Sequence, residues 1–196
     1  MFKKVKKSRK YGKTIVLIDA ANIIYANKHL YWSIDHRKLI KYLKERYNSQ
    51  KIIYYAGLEK GDIRKENFYK KIESFGFETR IKPVVAYKGK FYWKNFWCPA
   101  CGAWVSKKFQ GPPTKKSNCD VDLAIDAIKY LSKYETLLLF SGDNDFSALI
   151  EFLKGRNKKV IVFSSMENCG RKLRKTAYAF VEINQLRKIL ELENKH

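Results

Sequence analysis

Two aspartates one residue apart, Asp143 and Asp145, follow the apolar run at 137–140 in the stretch FSGDNDFSALI. Carboxylates that close repel each other unless a cation, a proton or a lysine compensates. Asp19 ends another apolar run, with Asn22 just behind it, and Asp120, Asp122 and Asp126 gather in CDVDLAID. Converging oxygen donors suit a hard cation such as Mg²⁺ or Mn²⁺, which keeps several waters and leaves positions for phosphate oxygens and a nucleophilic water. Singly, each acid has a plainer role. Asp19 and Asp143 can cap helices, Asp122 and Asp126 can form a solvated i, i+4 pair with Lys129 and Lys133, and Asn22 caps as readily as it orients a water or a phosphate. As a set they stand out, because the chain is otherwise very basic: 41 Lys plus Arg against 19 Asp plus Glu, a formal charge of +22.

Stepping outward from the acids, the pattern alternates strands with helices. TIVLIDAANIIYANK reads as a strand ending at Asp19 and feeding a helix. IDHRKLIKYLKERYN spaces Ile34, Leu39, Leu43 and Tyr47 along one helical face, and KIIYYAG follows as a buried strand. GDIRKENFYKKIESFG is a helix ended by Gly76, leading into the strand FETRIKPVV. Beyond an interruption come DVDLAIDAIKYLSKY as helix, ETLLLFSG as strand, DFSALIEFLKGR as helix, KKVIVFSS as strand, a short strand around AFVEI and a helix in NQLRKILELE. Strands that are apolar throughout argue for a mainly parallel sheet covered on both faces, a doubly wound α/β domain. In such sheets ligands bind beyond the carboxyl ends of the strands, where Asp19 and Asp143 fall. Within CDVDLAID, Asp120 in the first turn lies nearest that rim, Asp126 is a second candidate, and Asp122 is expected to be exposed.

Between Lys82 and Cys119 the rhythm stops. This stretch holds eight lysines, eight aromatics and no acid, a combination in which bases stack on rings while ammonium groups follow the backbone of single-stranded nucleic acid. Lys90, Trp93, Lys94, Trp97, Lys107, Lys108, Lys115 and Lys116 are the candidate contacts. An equal reading makes the rings the small core of a β-hairpin, with KGKFYWKNFW as one strand. CPACG offers Cys98 and Cys101 as zinc ligands, with Cys119 as a third and Cys169 or a second subunit completing the four that a structural zinc takes; two free thiols in a hairpin turn are the alternative. GPPTKKSN reads as a flexible or extended connection back to the core.

The length and the 45% apolar content fit one domain, 14–196, with an insertion at 83–118 and a basic, flexible arm at 1–13. No stretch approaches a membrane span, and MFKKVKKSRKYGK lacks the apolar segment of a signal peptide, so a cytoplasmic location is expected. Oligomeric state stays open between monomer and homodimer. The charge points to a polyanionic partner. The histidines, His29, His36 and His196, sit in no recognisable triad with Ser or Cys, so metal-free hydrolysis is not expected.

LIDAANI, CDVDLAIDA and LFSGDNDFSALI, in this order and in these contexts, resemble the three motifs of the NYN domain family within the PIN-like nucleases. The resemblance spans about 14 to 165 and implies a PIN-like three-layer α/β/α fold and divalent-metal-dependent cleavage of RNA. It also implies that Asp19, Asp120, Asp143 and Asp145 are the catalytic, metal-binding acids, with Asn22 and Asp126 supporting. The competing expectation is a non-catalytic RNA-binding module on the same fold. A Toprim-like site would want a glutamate where Asp19 stands, and a haloacid-dehalogenase-like site a second acid where Ala20 and Ala21 stand.

Overall fold

The computed structural model describes residues 11–22 and 32–193. Six strands form a parallel sheet: β1 (Thr14–Asp19), β2 (Ser49–Leu58), β3 (Glu78–Pro83), β8 (Thr136–Phe140), β9 (Lys159–Ser164) and β10 (Ala179–Glu182). Their order is β10-β9-β8-β1-β2-β3, and every neighbouring pair is parallel. The chain winds outward from β1 in one direction, then returns to β1's other side and winds outward again. The order therefore reverses between β1 and β8, which leaves a crevice beyond their carboxyl ends.

Alternation along the strands explains why the runs are apolar throughout. Val16, Ile18, Tyr54, Phe140 and Phe163 face one way, against α1 (His36–Tyr47), α2 (Ile63–Ser74) and α6 (Arg187–Leu190). Leu17, Ile53, Tyr55, Leu139 and Val162 face the other, against α3 (Asp120–Lys129), α4 (Ser147–Lys154) and α5 (Arg171–Thr176). Two cores on two faces make three layers; both sides of β1, β8, β9 and the middle of β2 are buried, while the edge strands β3 and β10 are half-buried. On the first face the Phe140 and Phe163 rings stack at 4.4 Å between centroids.

Several boundaries differ from the sequence reading, each for a local reason. The first long helix starts at His36 because Asp35 caps it, its Oδ1 accepting from the backbone N–H of Arg37 at 2.7 Å and Lys38 at 3.3 Å. Ile34 is therefore extended, bridging to Glu191 rather than riding the helix. NQLRKILELE yields only a 3-10 turn at Ile183–Leu186 and the single turn of α6, since the chain then straightens to pair with that extended segment.

The stretch after β3 leaves the sheet. β4 (Val85–Tyr87) pairs antiparallel with β7 (Thr114–Lys116), so GPPTKKSN holds a strand where a connection was expected. Farther out, β5 (Phe91–Cys98) pairs antiparallel with β6 (Ala103–Gln110) from Phe91↔Gln110 to Cys98↔Ala103. Between the two ladders the backbones pinch together: a Cβ on Gly89 would lie 1.7 Å from the Gly111 carbonyl oxygen, so no side chain fits there. Among the described residues no helix is long and apolar enough to cross a membrane. The arm at 1–13 lies outside the described residues up to 10, as do the first helix beyond Asn22, His29 and His196.

Candidate active site at the carboxyl edge of the sheet

Asp19 is the last residue of β1, and its Oδ1 accepts the N–H of Ala21 at 2.9 Å as the chain turns into a helix. From the next strand, the fully buried Ser141 Oγ donates to Asp19 Oδ2 at 3.3 Å and accepts the N–H of Asp143 at 3.2 Å. One hydroxyl thus ties the ends of β1 and β8 together. Asp143 Oδ1 accepts the N–H of Asp145 at 2.9 Å, which caps the 3-10 turn at Asn144–Phe146 and leaves both carboxylates exposed. Asp120 opens α3 on the same side, positioned by Cys119, whose thiol is buried and directed at the Ala56 carbonyl oxygen at 3.6 Å.

Asp19 and Asp120 respond to burial and to their acidic neighbours. Burial pushes the Asp19 carboxyl up to about 6, with Asp120 adding to the rise and the N–H groups of Ala21 and Asn22 opposing it. Asp120 is raised as well, by desolvation first and then by Asp143 and Asp145. Among the described residues no lysine or arginine forms an ion pair with any of the four, although the sequence carries 41 such residues. The donor set is all oxygen and short of positive charge, which fits a hard divalent cation. The side chains are not drawn to a common point: among the described residues no three His, Cys, Asp or Glu side chains form a group able to hold a metal as they stand. Binding would require Asp120, Asp143 and Asp145, all exposed, to change rotamer toward Asp19.

Asn22 lies on the same rim, 8% exposed. Its Oδ1 accepts from Ser164 Oγ at 3.1 Å, and its buried Nδ2 has no hydrogen-bond partner among the described residues. A buried amide with a spare donor is costly unless something accepts from it, and a phosphate oxygen would do so.

Three expectations need correction. Asp126 does not reach the rim. It is buried beneath it, its Oδ2 accepting from Tyr55 Oη at 2.8 Å with Arg80 Nε at 3.4 Å, so it ties α3 to β2 and β3. Asp122 is not paired along the helix, because Lys82 from the end of β3 reaches it at 2.6 Å. Cys119 cannot join Cys98 and Cys101: it sits at the root of α3, whereas they lie at the far end of the β5–β6 ribbon, about 25 Å of strand away.

Lys90, Trp93, Lys94, Trp97, Lys107, Lys108, Lys115 and Lys116 are all exposed. Cross-strand partners share a face, so Phe91, Trp93, Asn95 and Trp97 lie with Gln110, Lys108, Ser106 and Trp104 on one side, and Tyr92, Lys94 and Phe96 with Phe109, Lys107 and Val105 on the other. Lys108 Nζ sits 4.6 Å above the Phe91 ring. Lys115 is engaged by Glu59. Sequence reasoning missed Ser141, Ser164 and Arg80; the small pair Ser141–Gly142 ahead of the aspartates was a signal for the first, and nothing marked the others.

A doubly wound α/β domain with unpaired carboxylates at the point where strand order reverses defines the class. The chain belongs to the NYN domain family, whose model matches residues 13–184. That family includes ribonucleases, and NYN and PIN-like nucleases generally use divalent metals. The chain is similar to the low amplitude and bright protein LabA of Synechococcus elongatus, 26% identical over 178 residues that cover 90% of this chain and 86% of the relative. It is also similar in fold to VPA0982 of Vibrio parahaemolyticus, with a TM-score of 0.65, 24% identity, and coverage of 94% of this chain and 99% of that one.

Proposed function

We propose that the protein is a divalent-metal-dependent ribonuclease acting at the rim between β1 and β8, with residues 14–196 as the nuclease domain, 83–118 as its insertion and a cytoplasmic location. The observation that carries this reading is the set Asp19, Asp120, Asp143 and Asp145, which share one rim, raise the Asp19 and Asp120 carboxyls beyond what burial does, and form no ion pair with a basic residue among the described residues of a chain of charge +22. The carboxylates would hold Mg²⁺ or Mn²⁺, which supplies an acidified water and charge neutralisation at a phosphodiester. Ser141 fixes the Asp19 carboxylate and the Asp143 backbone relative to each other, so less orientational freedom is lost when the carboxylates take up the cation. Asn22 Nδ2 would donate to a non-bridging phosphate oxygen. The exposed rings and lysines of the β5–β6 ribbon would hold unpaired bases and backbone of the same RNA.

The second reading, an RNA-binding module without catalysis, is favoured by one observation: the acids do not already converge on a point among the described residues. A labelled RNA panel incubated in Mn²⁺, Mg²⁺ or excess EDTA separates the two, with wild type compared to Asp143→Asn and binding followed in parallel. Cutting that needs metal and is lost in the variant while binding persists supports the nuclease. Binding with no cutting in any metal supports the module.

A further inference from the structure

The β5–β6 ribbon stands on its own. Nearly all its side chains are exposed on both faces, and a two-stranded ribbon with neither face covered is marginally stable in water. At its tip Cys98 ends β5, Pro99 and Ala100 turn the chain, and Gly102, at a φ of 65°, donates its N–H to the Cys98 carbonyl oxygen at 2.9 Å. Both cysteines therefore sit on one tight loop, separated only by the two turn residues. This is the spacing at which a Cys-x-x-Cys loop presents two thiolates to a tetrahedral metal.

Two ligands are half a site. The other cysteines cannot complete it: Cys119 and Cys169 are 7% and 5% exposed in the core, and among the described residues no third ligand stands near the pair. Just below the loop, Trp97 and Trp104 meet edge to face at 5.7 Å yet remain 53% and 70% exposed, a large apolar surface at the end of a projecting arm. A second copy of this chain supplies the missing ligands, since a two-fold axis through the tip doubles the thiols to four, and it brings the exposed tryptophan pairs of both copies to one junction.

We propose that Cys98 and Cys101 form half of a tetrahedral four-sulfur zinc site whose other half is Cys98 and Cys101 of a second copy, joining two chains tip to tip. The metal staples a ribbon that has no core of its own. The site is separate from the acidic rim and does not depend on the nuclease reading.

The test is metal content and mass together, on the full chain purified with reductant. The expected result is about half an equivalent of zinc per chain in a particle of dimeric mass, as four sulfurs per ion require. Cobalt exchanged into the protein should give the intense visible bands and sulfur-to-metal charge transfer of a tetrahedral four-sulfur site. A strong zinc chelator, or Cys98→Ser with Cys101→Ser, should give zinc-free monomers whose thermal midpoint is unchanged, since the core does not touch the tip. One zinc per monomeric chain, with His29 or another residue completing the sphere, would overturn the proposal. So would protein without zinc, a Cys98–Cys101 disulfide that persists in reductant, or a dimer that survives the double serine variant.

Discussion

Tyr55 donates its hydroxyl to Asp126 Oδ2 at 2.8 Å beneath the acidic rim, and Arg80 Nε approaches the same oxygen at 3.4 Å. The bond joins the second strand to the third long helix at a buried point, which makes Asp126 part of the frame. Tyr55→Phe is expected to cost about 1–3 kcal/mol, the range for leaving a buried polar partner unsatisfied. Urea denaturation measures that loss. Cleavage per folded molecule should be unchanged, whereas a drop with stability intact would return Asp126 to the reaction.

The pH dependence of stability contains two opposed slopes. Asp19, raised to about 6 from 3.8, holds its proton more tightly in the native state than in the unfolded chain. Ionising it therefore costs stability as pH rises across that window. His36, packed against the rings of Tyr54, Phe68 and Phe77, is lowered to about 4 from 6.5, mainly by desolvation, so its contribution is full above 6.5 and is lost as pH falls toward 4. Wild type in EDTA should show a shallow profile between. Asp19→Asn should expose the His36 slope and, at neutral pH, stabilise the metal-free protein by about 1–3 kcal/mol. Urea midpoints from pH 4 to 8 decide it: a variant no more stable than wild type at pH 7 would contradict the buried, destabilised carboxylate.

Divalent ions should reverse that order. A cation bound only by the folded protein adds about 2.7 kcal/mol at 100 times its dissociation constant. Mn²⁺ should raise the thermal midpoint of wild type and leave Asp19→Asn and Asp143→Asn nearly unmoved. Cleavage in those variants is expected to fall by about 10²–10³-fold, the usual cost of losing one group that stabilises developing charge. An equal thermal shift in wild type and variants would place the ion elsewhere.

On the ribbon, Trp93 is 66% exposed and lies cross-strand from Lys108. Trp93→Ala should weaken single-stranded RNA binding by about 1–3 kcal/mol, the value of one stacked base. Lys108→Ala should lower the slope of log affinity against log salt by about 1. Filter binding at several salt concentrations reads both, and unchanged affinity in each would remove the ribbon from the interface.

The parallel sheet could be read in the sequence because its strands are buried on both faces, so Ile15 to Ile18 and Leu137 to Phe140 carry no polar residue to blur the run. Asp19, Asp143 and Asp145 were legible for a related reason: each is an abrupt acid at the end of such a run. What could not be read was whatever depends on distant partners. Asp126 has the same type and helical setting as Asp120, and only Tyr55 and Arg80, from two other strands, separate their roles. Thr114–Lys116 carries no strand signal of its own and becomes one because Val85–Tyr87 lies opposite. Ser141 is an unremarkable serine until two strand ends meet at it.

The ribbon leaves from the carboxyl end of β3 and returns at Lys116, a few residues before Asp120 opens α3. Its root is tied down by Lys82, which reaches both Asp122 and the Asn118 carbonyl oxygen. The root of the arm therefore borders the first turn of the helix that carries Asp120, and two contacts from one lysine hold the spacing between them. Whatever the arm carries enters the molecule beside the acids, so the insertion extends the reach of the rim without lengthening the sheet.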